Sequence, residues 1–282
     1  MKSALTTACS FLFVPANRPE RIPRALASGA DAVIVDLEDA VAPQDKPVAR
    51  QRLAQAFATL DAAQRLRLLV RINALGTPWH ADDVALAQRL AQQGLGGLML
   101  PKAESVSALI QMAAVIGATC ALVPLIESVA GLDGVDELAR APQVARLAFG
   151  HLDFQADAGL DCDAQESELV PVRLALVLAS RRANLAPPVD GVTPDIQDAA
   201  RLQGDATRAR RGGFGGKLCI HPSQVAGVNQ AFTPSADELA KAQRVLAAFE
   251  AAGGGVFSLD GRMVDAPVLL LAQRMLARAA AR

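Results

Sequence analysis

Short apolar runs rich in Val, Ile and Leu alternate along this chain with longer stretches in which apolar residues recur every three to four positions. The short runs lie at Ser10–Val14, Ala32–Leu37, Leu68–Ile72, Gly97–Pro101, Ala121–Ile126, Arg146–Gly150, Pro188–Gly191 and Lys217–Ile220, the seventh being the weakest. Helical spacing fills Val48–Leu60, Asp82–Gln93, Val106–Ile116, Leu132–Arg140, Val172–Asn184 and Ile196–Gly212. This alternation predicts βα units on a parallel sheet. Eight units predict an α/β fold, a (β/α)8 barrel over residues 1–230. An open, doubly wound sheet is the alternative. Polar residues follow nearly every run (Asn17, Glu38, Arg71, Lys102, Glu127, Asp153, Asp190 and His221), which favours the barrel, because an open sheet gathers them at its switch point.

Beyond the eighth unit the pattern changes. Ser235, with Glu238 three positions later, has the spacing of a helix N-cap, and that helix is expected to stop at Gly253–Gly255. Val256–Asp265 has the look of a small hairpin about Asp260-Gly261, and a last helix is expected from Ala266. Residues 231–282 are too few for an independent domain and are expected to form a C-terminal lid or oligomer arm.

Composition narrows the setting. The chain is 51% hydrophobic with 4% aromatic residues and no Tyr, so its core is built from Ala, Leu and Val. A net charge of -1 argues against a bulk nucleic-acid binder, which carries a basic excess to pair with phosphates. Cys9, Cys120, Cys162 and Cys219 are widely spaced, as expected of thiols in a reducing cytoplasm. The first ten residues lack the apolar core of a signal peptide, and no run reaches the roughly 18 apolar residues of a membrane span.

Chemistry is concentrated at the run ends. Ala121–Ile126 leads into Glu127, and Leu147–Gly150 leads into Asp153. An isolated ionised acid at the end of a buried strand is costly, so two of them imply a shared cation. With oxygen ligands only, and no His or Cys cluster at zinc spacing, the ion expected is Mg²⁺ before Mn²⁺. Arg71 ends the third run, where its fork suits a carboxylate of a ligand or of a neighbouring Asp. Asp36, Glu38 and Asp39 crowd the second run end; Glu38 and Asp39 fit a role behind the metal, and Asp39 equally fits a helix cap. Arg18 and Arg24 flank the first turn, as a phosphate site or as an exposed basic face. Lys102 and Glu104 have the spacing to pair with each other or with acids across the barrel. Gly212–Lys217 lacks the spacing of a phosphate loop and is expected to be a tight turn.

Nine motifs then carry a resemblance: Phe13-Val-Pro-Ala-Asn-Arg-Pro19, Asp36-Leu-Glu-Asp-Ala-Val-Ala-Pro43, Val70-Arg-Ile-Asn73, Pro101-Lys102, Leu125-Ile-Glu-Ser128, Phe149-Gly-His-Leu-Asp-Phe154, Pro188-Val-Asp-Gly191, Gly216-Lys-Leu-Cys-Ile-His-Pro-Ser-Gln-Val225 and Gly261-Arg-Met-Val-Asp-Ala-Pro267. In this order they resemble the HpcH/HpaI aldolase and citrate lyase β-subunit (CitE-like) family, with its malyl-CoA and citramalyl-CoA lyases. The resemblance implies a TIM barrel with a C-terminal lid. It implies Mg²⁺ on Glu127 and Asp153, Arg71 at the reacting acyl group, and Arg18 and Arg24 at the coenzyme A phosphates; Lys102, as a partner of the acids, is expected behind the metal with Glu38 and Asp39. Asp265 would be the general acid/base, delivered by the lid of a neighbouring subunit in a homotrimer or hexamer. The implied reaction is cleavage of a 3-hydroxy-3-carboxyacyl-CoA of the citryl-, citramalyl- or malyl-CoA type to a 2-oxo acid and acetyl-CoA. Thioester hydrolysis on the same scaffold, and a lyase subunit acting on a carrier-bound substrate, are the competing expectations. The acid-rich segment Ala158–Val170 departs from the substrate loop of the malyl-CoA lyases and lies closer to the CitE-like branch.

Overall fold

The computed structural model of the chain describes residues 4–252 and 255–280. Val, Ile and Leu pack well on a pleated surface buried on both faces, and the predicted runs become eight parallel strands closed into a barrel in sequence order. They are β1 (Ser10–Pro15), β2 (Ala32–Asp36), β3 (Leu68–Arg71), β4 (Gly97–Leu100), β5 (Ala121–Ile126), β6 (Ala148–Phe149), β7 (Val189–Asp190) and β8 (Gly216–Cys219). Closure runs through the pairs Ser10 with Lys217, Phe11 with Leu218 and Leu12 with Cys219, which excludes the open sheet. Because side chains alternate faces along a strand, every strand sends at least one residue into a shared interior cluster: Phe11, Ala32, Ile34, Leu69, Met99, Val123, Leu125, Ala148, Val189 and Leu218. The sixth strand is shorter than its apolar run, since Gly150 already turns into the next helix (φ -92°, ψ 71°).

Helices follow the strands around the outside. After α1 (Ala4–Thr7), the first connection holds a 3₁₀ turn at Pro19–Arg21 and the short α2 (Ile22–Ala27). The second carries α3 (Lys46–Ala58) and α4 (Ala62–Leu66), the third α5 (His80–Gln92) and the fourth α6 (Val106–Ile116). The helix expected at Leu132–Arg140 is instead two, α7 (Val129–Asp133) and α8 (Val135–Arg140), divided at Gly134. Next come α9 (His151–Ala158), α10 (Val170–Arg182), α11 (Ala199–Arg211) and α12 (Ser223–Phe232). The segment Gly212–Lys217 turns at Gly212 and Gly213 and enters β8 at Gly216, where a side chain would lie 2.6 Å from the Cys9 carbonyl oxygen. No helix among the described residues is long and apolar enough to cross a membrane.

The residues divide into two compact units, Met1–Asn229 and Gln230–Arg282. In the second, Ser235 and Glu238 form a reciprocal capping box at the start of α13 (Ala236–Ala251), with bonds of 3.1 and 2.8 Å. The glycine stop expected after this helix falls at Gly253 and Gly254 outside the described residues. Asp260 and Gly261, both with positive φ (51° and 72°), join β9 (Phe257–Leu259) to β10 (Arg262–Val264) as a tight hairpin. α14 (Ala266–Ala280) packs on α13, burying Ala242, Val245, Val264 and Ala272 in a small core of their own.

Candidate active site

Glu127 follows the buried β5 and is itself 4% exposed. Its Oε1 accepts the backbone N–H of Lys102 at 2.7 Å, and Lys102 Nζ stands 3.9 Å away. Lys102 holds a left-handed conformation (φ 45°) at the end of β4. Glu104 does not pair with Lys102; its Oε1 accepts the Ser128 hydroxyl at 2.6 Å, while the Ser128 oxygen caps α7 through the Gly131 N–H at 3.1 Å. Burial pushes the Glu127 carboxyl up to about 7, against the Lys102 N–H and ammonium that favour its charge. Gly150 must lack a side chain here, since a Cβ would fall 2.5 Å from Glu127 Oε2.

Asp153 lies in the first turn of α9 and lines the same cavity as Glu127, Asp36, Asp39, Arg71 and His151, a space of about 400 Å³. The expectation that both acids are buried at strand ends holds for Glu127 alone. β6 stops at Phe149, so residue 153 falls on a helix and is exposed. Among the described residues, no group of three or more His, Cys, Asp or Glu side chains is arranged to hold a metal. Two carboxylates opening into one cavity, one of them buried without a full countercharge, fit a hard cation that completes its shell with water or ligand oxygens. Glu127 and Asp153 are the residues available to hold it.

Arg71 ends β3 and grips Asp36 in a fork, Nε to Oδ1 at 2.8 Å and Nη2 to Oδ2 at 2.7 Å. Glu38 Oε2 lies 3.1 Å from Nη1, Asp39 Oδ2 lies 3.4 Å from Nη2, and the guanidinium stacks over Phe13 at 4.9 Å. The scaffolding role foreseen for this arginine is therefore present, and the residue lines the cavity as well. Asp39 does not cap a helix: it is exposed, and the cap positions downstream are Ala42 and Asp45.

Glu38 is 8% exposed, and burial pushes its carboxyl up to about 8 despite the pull of Arg71. A raised carboxyl pKa favours folding while the group is protonated, so this contribution is full below about pH 4.5 and lost as pH rises through 8. In the presence of chelator, wild-type stability by denaturant titration is expected to decline across that window. Glu38→Gln should flatten the decline, and parallel curves for the two proteins would contradict the assignment.

Several functional supports carried no sequence signal. Lys46, 4% exposed, donates to the carbonyls of Leu37 and Glu38 (both 2.8 Å) and to Asn73 Oδ1 (2.6 Å), tying the ends of β2 and β3 together. Asp83 accepts from Asn73 N and Nδ2 at 2.8 and 2.6 Å. Glu166 gathers Arg173, Arg201 and Arg208, and its Oε1 sits 3.5 Å from His151 Nε2. Burial pushes the His151 imidazole down to about 4, so the ring is neutral near pH 7. His80 Nδ1 meets the Asn73 carbonyl at 2.8 Å, and His221 Nδ1 meets the Ser223 hydroxyl at 2.7 Å. Cys120 and Cys219 are buried thiols pushed up to about 12.

Within the barrel unit, Glu38, Lys102, Arg18 and Arg24 stand outside the cavity lining: the first two contact Arg71 and Glu127 from beside it, Arg18 is exposed and paired with Glu20 at 2.6 Å, and Arg24 is exposed on α2. Asp265 belongs to the second unit, where its Oδ1 accepts the Val268 N–H at 3.3 Å as an N-cap of α14.

A closed (β/α)8 barrel with acids and an arginine converging at the C-terminal ends of its strands is the architecture of a barrel enzyme. The chain belongs to the HpcH/HpaI aldolase/citrate lyase family, whose model matches residues 9–222; a model of C-C bond lyases of the TIM-barrel fold matches residues 181–281. It is 40% identical to a citrate lyase subunit beta-like protein of Mycobacterium tuberculosis over 95% of this chain and 94% of that one. Cereibacter sphaeroides supplies two further relatives: an L-malyl-CoA/beta-methylmalyl-CoA lyase (35% identical; 90% and 89% covered) and a (3S)-malyl-CoA thioesterase (33%; 96% and 94%). The crystal structure of CitE from M. tuberculosis in complex with magnesium, acetoacetate and coenzyme A superposes with a TM-score of 0.83 at 37% identity, covering 98% of this chain and 99% of that one.

Proposed function

We propose that this enzyme is a Mg²⁺-dependent lyase that cleaves a 3-hydroxy-3-carboxyacyl-CoA of the citryl-, citramalyl- or malyl-CoA type into a 2-oxo acid and acetyl-CoA. The observation that carries the reading is the convergence of Glu127, Asp153 and Arg71 on one cavity in a member of this family. Glu127 and Asp153 would hold the Mg²⁺, which when bound supplies Lewis-acid polarisation of the hydroxyl or ketone oxygen and the neighbouring carboxylate. Lys102, through its N–H, keeps Glu127 turned to the cavity. Arg71 stabilises the negative charge that develops on the thioester oxygen as the carbon–carbon bond breaks. Its fork on Asp36 is the tighter contact and its 3.4 Å contact to exposed Asp39 the looser, so an incoming oxygen takes the donor that faces Asp39. Glu38 balances the guanidinium from its buried side and Asp39 from the cavity side. Asp265 hands a proton to the enolate carbon during cleavage and removes it from the acetyl-CoA methyl group in the reverse direction. Residues 231–282 serve as the lid, passed to the neighbouring subunit of a homotrimer or hexamer. Arg18 and Arg24 bind the coenzyme A phosphates.

The thioesterase relative favours a second outcome on the same scaffold, attack of water on the thioester carbonyl. A panel of hydroxyacyl-CoA thioesters incubated with Mg²⁺ and read by mass spectrometry separates them. Cleavage yields acetyl-CoA and a 2-oxo acid; hydrolysis yields free coenzyme A and the intact hydroxy acid. Weak use of every free thioester but turnover of a carrier-bound one would identify a lyase subunit instead. On the preferred thioester, Arg18→Ala and Arg24→Ala are expected to raise KM with little change in kcat, as when uniform binding is lost. An unchanged KM in both would leave the basic turn a solvated face.

A further inference from the structure

The two carboxylates assigned to the cation arrive on separate pieces of chain, Glu127 at the end of β5 and Asp153 in the first turn of α9, so their separation depends on how α9 is fastened to the β5–α7 turn. Two hydrogen bonds do this. At the start of α9, the Gly150 N–H donates to the Ile126 carbonyl at 2.9 Å. Near its end, Asp157 Oδ2 accepts the Val129 N–H at 2.7 Å. Asp157 is four residues after Asp153 and so on the same helix face; Val129 is two residues after Glu127. From the opposite side, Glu104 holds Ser128. Gly150 leaves the α9 N-terminus against the Glu127 side chain with no slack for a Cβ, so rotation of α9 about that end is what remains to be restrained. The Asp157 bond restrains it.

We propose that Asp157 is a positioning residue whose bond to the Val129 N–H sets the spacing of Glu127 and Asp153 and thereby the affinity of the pair for a divalent cation. The inference rests on the assignment of those two residues to the cation. Partners that orient ligating carboxylates typically govern metal affinity by ten- to a hundredfold. Because Asp157 and Val129 are both exposed, replacing the acid leaves the Val129 N–H to water and no buried group unpaired.

The test is Mn²⁺ binding to the full-length, metal-stripped protein by electron paramagnetic resonance, with KM and kcat measured alongside. Asp157→Ala should weaken Mn²⁺ binding by about tenfold, with KM for the thioester at saturating Mn²⁺ unchanged. Asp157→Asn retains an acceptor oxygen and should stay within about threefold of wild type. Asp157→Ala binding within twofold of wild type overturns the proposal. So does Asp157→Asn binding as weakly as Asp157→Ala, since the effect would then be a through-space charge and not the bond. Asp153→Ala is the control. If it binds Mn²⁺ as wild type does, the cation assignment itself fails, a result distinct from the failure of Asp157 alone.

Discussion

Glu127→Ala and Asp153→Ala are each expected to abolish turnover while the barrel remains folded. Glu127 is the buried member, its carboxyl pushed up to about 7, so the site without a cation holds an acid that folding prefers protonated. Removing it relieves that penalty at neutral pH and above, and leaves the Lys102 N–H as the group lacking its acceptor. Asp153 is exposed, so its loss touches no core contact. The two variants should therefore keep near wild-type melting temperatures and differ from wild type in cation binding and rate. Full activity in excess EDTA, or ordinary turnover in the double variant, would remove the metal from the mechanism.

A comparably large effect is expected at Asp265. Its carboxylate caps α14 through the Val268 N–H, a role that Asn fills nearly as well. Asp265→Asn should thus leave the second unit folded. As a general acid/base, by contrast, Asn is inert, and kcat should fall by roughly a hundredfold or more. A carboxylate desolvated when a lid closes has a raised pKa, suited to exchanging a proton with an enolate carbon. If the lid acts on a neighbouring barrel, mixing inactive Asp265→Asn protomers with inactive Glu127→Ala protomers restores part of the activity. A mixture that stays inactive after verified subunit exchange would place the lid on its own barrel, and unchanged kcat in Asp265→Asn would reduce the residue to a cap.

Much of this site was legible before the fold. Glu127, Arg71 and Lys102 stand at the ends of apolar runs, and in a parallel barrel every strand end faces the same rim, so adjacency in space follows from position in the repeat. Asp153 was found by the same rule for a partly different reason: its run ends three residues earlier, and the turn at Gly150 places the acid on a helix. The division of Leu132–Arg140 was missed because helical periodicity continues through Gly134, where the backbone does not.

By itself the sequence determined the number and order of the strands, the capping box at Ser235, the hairpin at Asp260-Gly261 and membership of a lyase family, because burial, caps and tight turns are written in local pattern. Only the tertiary structure decided that Arg71 is forked on Asp36, that Lys46 ties two strand ends, that Asp153 is exposed and that Asp157 braces Val129. The contacts among them join groups 8 to 35 positions apart that meet across neighbouring loops. Strand register and the exit angle of each turn set such meetings, and no periodicity along the chain encodes either.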